Sequence, residues 1–238
     1  MNLFGFYGMG FYGFDPTYYL VIIGMIITVI AQVNVNSTMK KYSKIGTQYG
    51  LTGEDVSNRI LNNAGIRNVS VERVKGEYTD HYDPRSKVLR LSSAVHDSTS
   101  ITAIGVAAHE VGHAIQDQQN YTFLRIRSAL VPVASFGSSA GFFSVILGII
   151  LSFPGLITLG IIVFSGTVLF QVVTLPVEFN ASSRALKNLR QMYLMDGNEL
   201  KMAKKVLRAA ALTYVAAAAT TILTLLRLVL LSRGSNRD

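Results

Sequence analysis

His109, Glu110 and His113 stand at H-E-x-x-H spacing in a chain that has only four histidines. On a helix, residues four apart lie on one face, one turn from each other, so both imidazoles can reach a single tetrahedral Zn²⁺. Glu110 falls beside them, where it can take a proton from a zinc-bound water. The spacing therefore predicts metal-assisted hydrolysis with Glu110 as general base. The plain alternative is a buried helix with two satisfied histidines. Residues 98–108 carry no charge, so that helix would bury Glu110 without a partner, at considerable cost.

A catalytic zinc needs a third protein ligand and an open position for water. With no cysteine in the chain, thiolate sites and disulfides are both excluded, leaving histidine and carboxylate. The extended pattern H-E-x-x-H-x-x-G-x-x-H fails, because the chain has Gln116 and Gln119 at the two deciding positions. His81 and His96 precede the motif; Asp117, Glu178, Asp196, Glu199 and Asp238 follow it.

The elements that must position these groups are largely apolar. Of 238 residues half are hydrophobic and only 15% charged, against about 25% in soluble domains. Four stretches are long enough, or nearly so, to cross a bilayer: 18–35, 130–153, 156–175 and 209–231. The expected fold is thus a mainly α membrane protein with about four transmembrane helices and a small α+β, zincin-like cytoplasmic subdomain.

Charge sets the orientation. No Lys or Arg precedes the first span, 12 lie between the first and second, and none between the second and third. Seven more lie between the third and fourth. The two basic loops hold 19 of the 22 cations, which places them in the cytoplasm and both termini outside. This distribution, rather than the net charge of +8, argues for a lipid bilayer and against nucleic acid. The first span lacks the basic flank and small-residue cleavage site of a signal peptide. The implied location is the plasma membrane, multi-pass, with the motif on the cytoplasmic side.

Residues 1–17 form an external segment with a short duplication, Gly5-Phe6-Tyr7-Gly8 and Gly10-Phe11-Tyr12-Gly13, whose aromatics suit the headgroup level. Residues 36–128 are the cytoplasmic subdomain carrying the zinc motif. Thr52, followed by Glu54 and Asp55, marks a helix start that runs to about Gly65. Residues 68–74 and 87–92 read as strands joined through turn chemistry at Tyr82-Asp83-Pro84-Arg85. The motif helix is expected from Asp97 or Ser98 to Gln118. Residues 87–92 are the expected free sheet edge, onto which an extended substrate can add as a strand. In the second span, Gly137, Ser138, Ser139, Ala140 and Gly141 form a small-residue surface for close helix packing. Residues 176–208 return the chain to the cytoplasm, and 232–238 are the tail.

This topology favours Glu178 as third ligand. The second and third spans form a hairpin, so Glu178 emerges near Pro176 on the same side as the histidines, at an expected helix start. The ordinary reading of Glu178 is a carboxylate near a helix N-terminus. Asp196 and Glu199 lie in a polar, basic stretch that looks solvated.

The run 107–116, the upstream Asp80-His81-Tyr82-Asp83-Pro84, the later Glu178-Phe179-Asn180-Ala181 and the segment 209–216 resemble the YugP-type family of bacterial membrane zinc metallopeptidases. The similarity covers most of the chain. The Glu-Phe-x-Ala piece also resembles HtpX-type and prenyl-protein-processing membrane zinc proteases. That resemblance implies that Glu178 is the third ligand. Those proteases carry an Asp four residues after the Glu, whereas this chain has Ser182. A hydroxyl still hydrogen-bonds a ligand histidine, but polarises it less than a carboxylate does.

The expected activity is peptide-bond hydrolysis at the cytoplasmic face by one zinc per chain, held by His109, His113 and Glu178. Glu110 serves as base and then as proton donor to the leaving amine. The substrate is a peptide or a membrane protein. Tyr214, His81 and Arg184 are candidates for stabilising the oxyanion. Two rivals stand beside this reading. One is an intramembrane zinc protease, in which Leu194-Met195-Asp196-Gly197 supplies the ligand; the other is a non-catalytic membrane zinc scaffold. The apolar run 101–115 is short for a span and is followed by five polar residues, which weighs against the first. An intact Glu110 weighs against the second.

Overall fold

The computed structural model describes residues 17–76 and 79–235; the aromatic duplication lies outside them. The protein is mainly helical. In chain order its elements are α1 (Tyr18–Tyr42), α2 (Gly53–Asn63), β1 (Ser70–Val74), β2 (His81–Asp83), β3 (Val88–Ser92), α3 (Ser93–His96), α4 (Ile101–Gln118) and α5 (Thr122–Phe136). A π-helical turn (Gly137–Gly141) follows, then α6 (Phe142–Ile150), α7 (Pro154–Gln191) and α8 (Gly197–Ser235). Four helical stretches are long and apolar enough to cross a membrane: Tyr18–Tyr42, Thr122–Ile150, Pro154–Gln191 and Gly197–Ser232.

Small residues let these helices approach closely, as they must where lipid offers no hydrophobic incentive to associate. Gly24 of α1 sits against Thr220 of α8, whose hydroxyl donates to the Gly24 carbonyl at 3.1 Å. Gly141 meets the backbone of Gly160 and Phe164 on α7, and Gly137 meets Val163. The small-residue surface of the second span is thus a backbone-to-backbone contact with the third.

Two long helices differ from expectation. α7 does not break at Pro176 but runs unbroken from Pro154 to Gln191, so Glu178 is an interior residue and not a helix start. A proline inside a helix removes one backbone donor and crowds the preceding turn. Packed neighbours sustain such a helix in a membrane bundle. Likewise α8 runs through the polar stretch 197–208 into the apolar one without interruption.

The sheet has strand order β1-β3-β2, with β1 parallel to β3 and β2 antiparallel to it. β3 is therefore the central strand, which corrects the expectation that 87–92 is the free edge. Both faces of β3 are covered, and Val88, Leu89, Leu91 and Ser92 are all buried. The strand on the far side of β3 from β1 is β2, a three-residue piece at the position that reads as a turn. The turn itself follows at Pro84–Lys87, where Lys87 adopts φ 56°.

α2 begins at Thr52, whose hydroxyl accepts from the Asp55 amide while the Asp55 carboxylate accepts from the Thr52 amide, a reciprocal capping box. Ser100 caps α4 in the same sense, through the Ala103 amide. Val56, Ile60, Leu89, Leu91, Val95, Ile104 and Val111 form one core with Leu189 of α7, Leu194 of the α7–α8 connection and Val206 of α8, among others. The motif helix is consequently packed between the sheet region and the two long helices.

Candidate metal centre

α4 carries His109 and His113 on one face, their rings edge-to-face with centroids 4.8 Å apart. α7 crosses that face at Gly112, where a Cβ would fall 2.6 Å from the Ala181 carbonyl oxygen. This contact is close enough to require glycine on that side. Ala181 lies one turn beyond Glu178, so the same crossing brings the Glu178 carboxylate to the imidazoles. Glu178 is 2% exposed. Its Oε2 lies 3.2 Å from His109 Nε2 and 3.7 Å from His113 Nε2.

One ligand atom from each of the three residues lies within 4.8 Å of the other two. Donors around a tetrahedral zinc with bonds of about 2.0–2.1 Å stand about 3.3 Å apart, and the two distances to Oε2 straddle that value. Two imidazoles and a carboxylate beside a cavity are a donor set of the kind that suits a catalytic zinc rather than a structural one. The residues fit the metal.

The outer partners point the same way. Fully buried Gln116 presents Oε1 to His113 Nδ1 at 3.0 Å. Its amide nitrogen donates to the Val177 carbonyl at 2.8 Å and to Asn180 Oδ1 at 3.0 Å. An acceptor at Nδ1 keeps the proton there and leaves Nε2 free as ligand. Ser182 Oγ lies 3.1 Å from His109 Nδ1. Arg127 on α5 donates to Glu178 Oε1 at 3.2 Å, which leaves Oε2 facing the histidines.

Glu110 borders a cavity of about 610 Å³ whose walls include Tyr82, His113, Arg127, Glu178 and Tyr214. The Tyr82 amide of β2 donates to Glu110 Oε2 at 3.1 Å. Burial pushes the Glu110 carboxyl above the usual carboxylate range, against the lowering effect of the two histidines. Asp80 is also raised by burial, opposed by the amide and hydroxyl of Ser92.

Of the three oxyanion candidates, Tyr214 and His81 line this cavity and Arg184 does not. Arg184 instead donates to Asn180 Oδ1 at 2.6 Å and Gln119 Oε1 at 2.7 Å, backing the Gln116 network. The His81 ring is held through Nδ1 by the Thr79 carbonyl at 2.8 Å. Among the described residues the other potential ligands are engaged elsewhere. His96 lies between Asp97 and Glu54, and Asp117 accepts from Tyr82 Oη at 2.6 Å and Lys87 Nζ at 2.5 Å. Asp196 caps α8 by accepting the amides of Asn198 and Glu199, each at 2.7 Å, and Glu199 accepts the Asp196 amide in return.

Residues 17–233 match a family described as "Putative neutral zinc metallopeptidase". The chain belongs to this family. It is 46% identical over 213 residues to the "Putative membrane protease YugP" of Bacillus subtilis (strain 168), covering 90% of this chain and 95% of that one. No solved structure matches. As a member of a zinc metallopeptidase family with four bilayer-length helices, the chain has in His109, His113 and Glu178 a candidate site for the metal that the family name implies.

Sequence reasoning missed Arg127 and the supporting role of Gln116. Gln116 lies three residues after His113, within one helical turn, and that spacing alone could have suggested a partner for the ring. Nothing comparable marks Arg127, which is 51 residues from Glu178 in the chain.

Proposed function

We propose that this protein is a multi-pass plasma-membrane metalloprotease that hydrolyses peptide bonds at the cytoplasmic face, with one zinc held by His109, His113 and Glu178. The observation that carries this reading is the meeting of two Nε2 atoms and one carboxylate oxygen beside an independent carboxylate, Glu110, at the wall of a cavity. Zinc in such a site acidifies a water and polarises the scissile carbonyl.

The chain supplies the rest. Glu110, at the cavity wall beside the proposed ligands, takes the proton of the attacking water and delivers it to the leaving amine. Gln116 and Ser182 hold the two imidazoles with Nε2 forward, and Arg127 fixes the orientation of Glu178. Tyr214 is the cavity-lining phenol best suited to receive the developing negative charge of the carbonyl oxygen. β2 lies at the sheet margin and borders the cavity, which supports an extended peptide or a segment of a membrane protein as substrate, laid alongside it.

The basic loops 36–128 and 176–208 support a cytoplasmic site with both termini outside. Against the intramembrane alternative, the Asp196 carboxylate is committed to capping α8. The test is cleavage of casein or a peptide library by the detergent-solubilised full chain, with zinc and after chelation. Cleavage should depend on zinc and disappear in Glu110→Gln. Activity that survives complete metal removal would refute the proposal.

A further inference from the structure

A second groove, of about 630 Å³, runs between α7 and α8 and shares no wall residue with the metal cavity. Phe179, Leu186 and Leu207 give it apolar surface, while Lys187, Arg190, Lys204 and Arg208 supply four cations; no acidic residue lines it. Among the described residues none of these four cations takes part in an ion pair. Like charges gathered along one low-dielectric cleft repel one another and concentrate a potential that draws in an anion.

The placement says which anion. Arg208 immediately precedes the apolar segment of α8, and Phe179 lies four residues past the apolar segment of α7 that ends at Leu175. The groove therefore opens at the membrane–water boundary. Arg208 stands at that boundary and Lys204 about one turn from it along α8, while Lys187 and Arg190 lie about two and three turns beyond Phe179 along α7. Phe179 is 50% exposed there. A free phosphate makes no use of an exposed phenyl ring, whereas a lipid acyl chain packs against it. Basic pockets between spanning helices are suited to anionic headgroups, and each Lys or Arg near such a surface contributes about fivefold in binding.

We propose that the α7–α8 groove is a binding site for one anionic phospholipid, its phosphate among Lys187, Arg190, Lys204 and Arg208 and its acyl chain over Phe179. This stands independently of proteolysis. It bears on the metal centre nonetheless, because Ser182, which lines the groove, is the residue whose Oγ meets His109 Nδ1.

Native mass spectrometry of the detergent-solubilised full chain tests this, with phosphatidylglycerol, phosphatidylcholine or inorganic phosphate added. Phosphatidylglycerol should be retained at concentrations at least about tenfold lower than phosphatidylcholine, and millimolar phosphate should not displace it. The variant carrying Lys187→Gln, Arg190→Gln, Lys204→Gln and Arg208→Gln should lose that preference while keeping its zinc. If it loses zinc, the two double variants, Lys187→Gln with Arg190→Gln and Lys204→Gln with Arg208→Gln, each serve instead and should each lose most of the preference. A control replacing Lys40, Lys41, Lys44 and Arg59 by Gln should keep it. Equal retention of the two lipids, displacement by phosphate, preference surviving in the groove variants, or equal loss in the control would each overturn the assignment.

Discussion

Gly112 on α4 faces the backbone carbonyl of Ala181 on α7 so closely that a methyl group at position 112 would lie 2.6 Å from that oxygen. The contact lies between the two histidines in sequence and one turn from Glu178. Gly112→Ala should therefore force α4 and α7 apart, costing about 1–3 kcal/mol of stability. It should also weaken zinc binding without removing any ligand. Thermal unfolding and zinc titration of the same preparation check this; unchanged zinc affinity would show that the crossing does not set the site.

Glu178 and Asp196 make opposite predictions. Glu178→Ala removes a proposed ligand and should empty the site of most of its zinc, from about one per chain. Asp196→Ala removes only a helix cap, worth about 1 kcal/mol, and should keep the metal. Metal analysis after purification decides between them, and the reverse pattern would favour an intramembrane site built on Asp196.

Glu110→Gln separates catalysis from binding. The amide keeps the size of the side chain and can still accept from the Tyr82 amide. Zinc content and fold should persist while turnover falls by roughly 10²–10⁴-fold. Turnover at the normal rate in this variant would rule out Glu110 as the base. A wild-type chain that binds zinc and cuts no peptide in any lipid or detergent would favour the scaffold.

Arg127→Ala frees Glu178 Oε1 and should weaken zinc about 10–100-fold, the usual effect of losing a ligand's hydrogen-bond partner. Arg127→Lys retains the charge and should recover part of that loss. Equal zinc affinity in all three proteins would mean that the guanidinium does not orient the ligand.

The motif histidines and Glu110 were legible because H-E-x-x-H demands a fixed spacing on one helical face. Glu178 was legible only through topology and resemblance, since a lone Glu after an apolar span has no local signature. The course of α7 through Pro176 was not, because the local rule against interior proline ignores the neighbours that sustain the helix. β2 was hidden for a related reason: three residues overlapping Asp83-Pro84 show turn chemistry before they show alternation. With β2 unseen, β3 looked like an edge. Arg127 lies in Leu-Arg-Ile-Arg-Ser, where nothing distinguishes the arginine that reaches Glu178 from Arg125.

Orientation across the membrane gives a further expectation. In this cysteine-free chain, single cysteines at positions 75 and 201 should be labelled from the same, cytoplasmic side. Labelling from opposite sides would be incompatible with Glu178 and the histidines sharing a compartment.

The unbroken course of α7 also governs how the protein can be divided. Glu178 stands 24 residues into a 38-residue helix whose first part has bilayer-length apolar character. A fragment trimmed to the sheet and the motif helix keeps His109, Glu110 and His113 but forfeits the third donor, the Gln116 anchor at Val177 and the hydroxyl behind His109. The proposed hydrolytic centre is thus assembled by the whole bundle, and a soluble excision of the motif region should not inherit it.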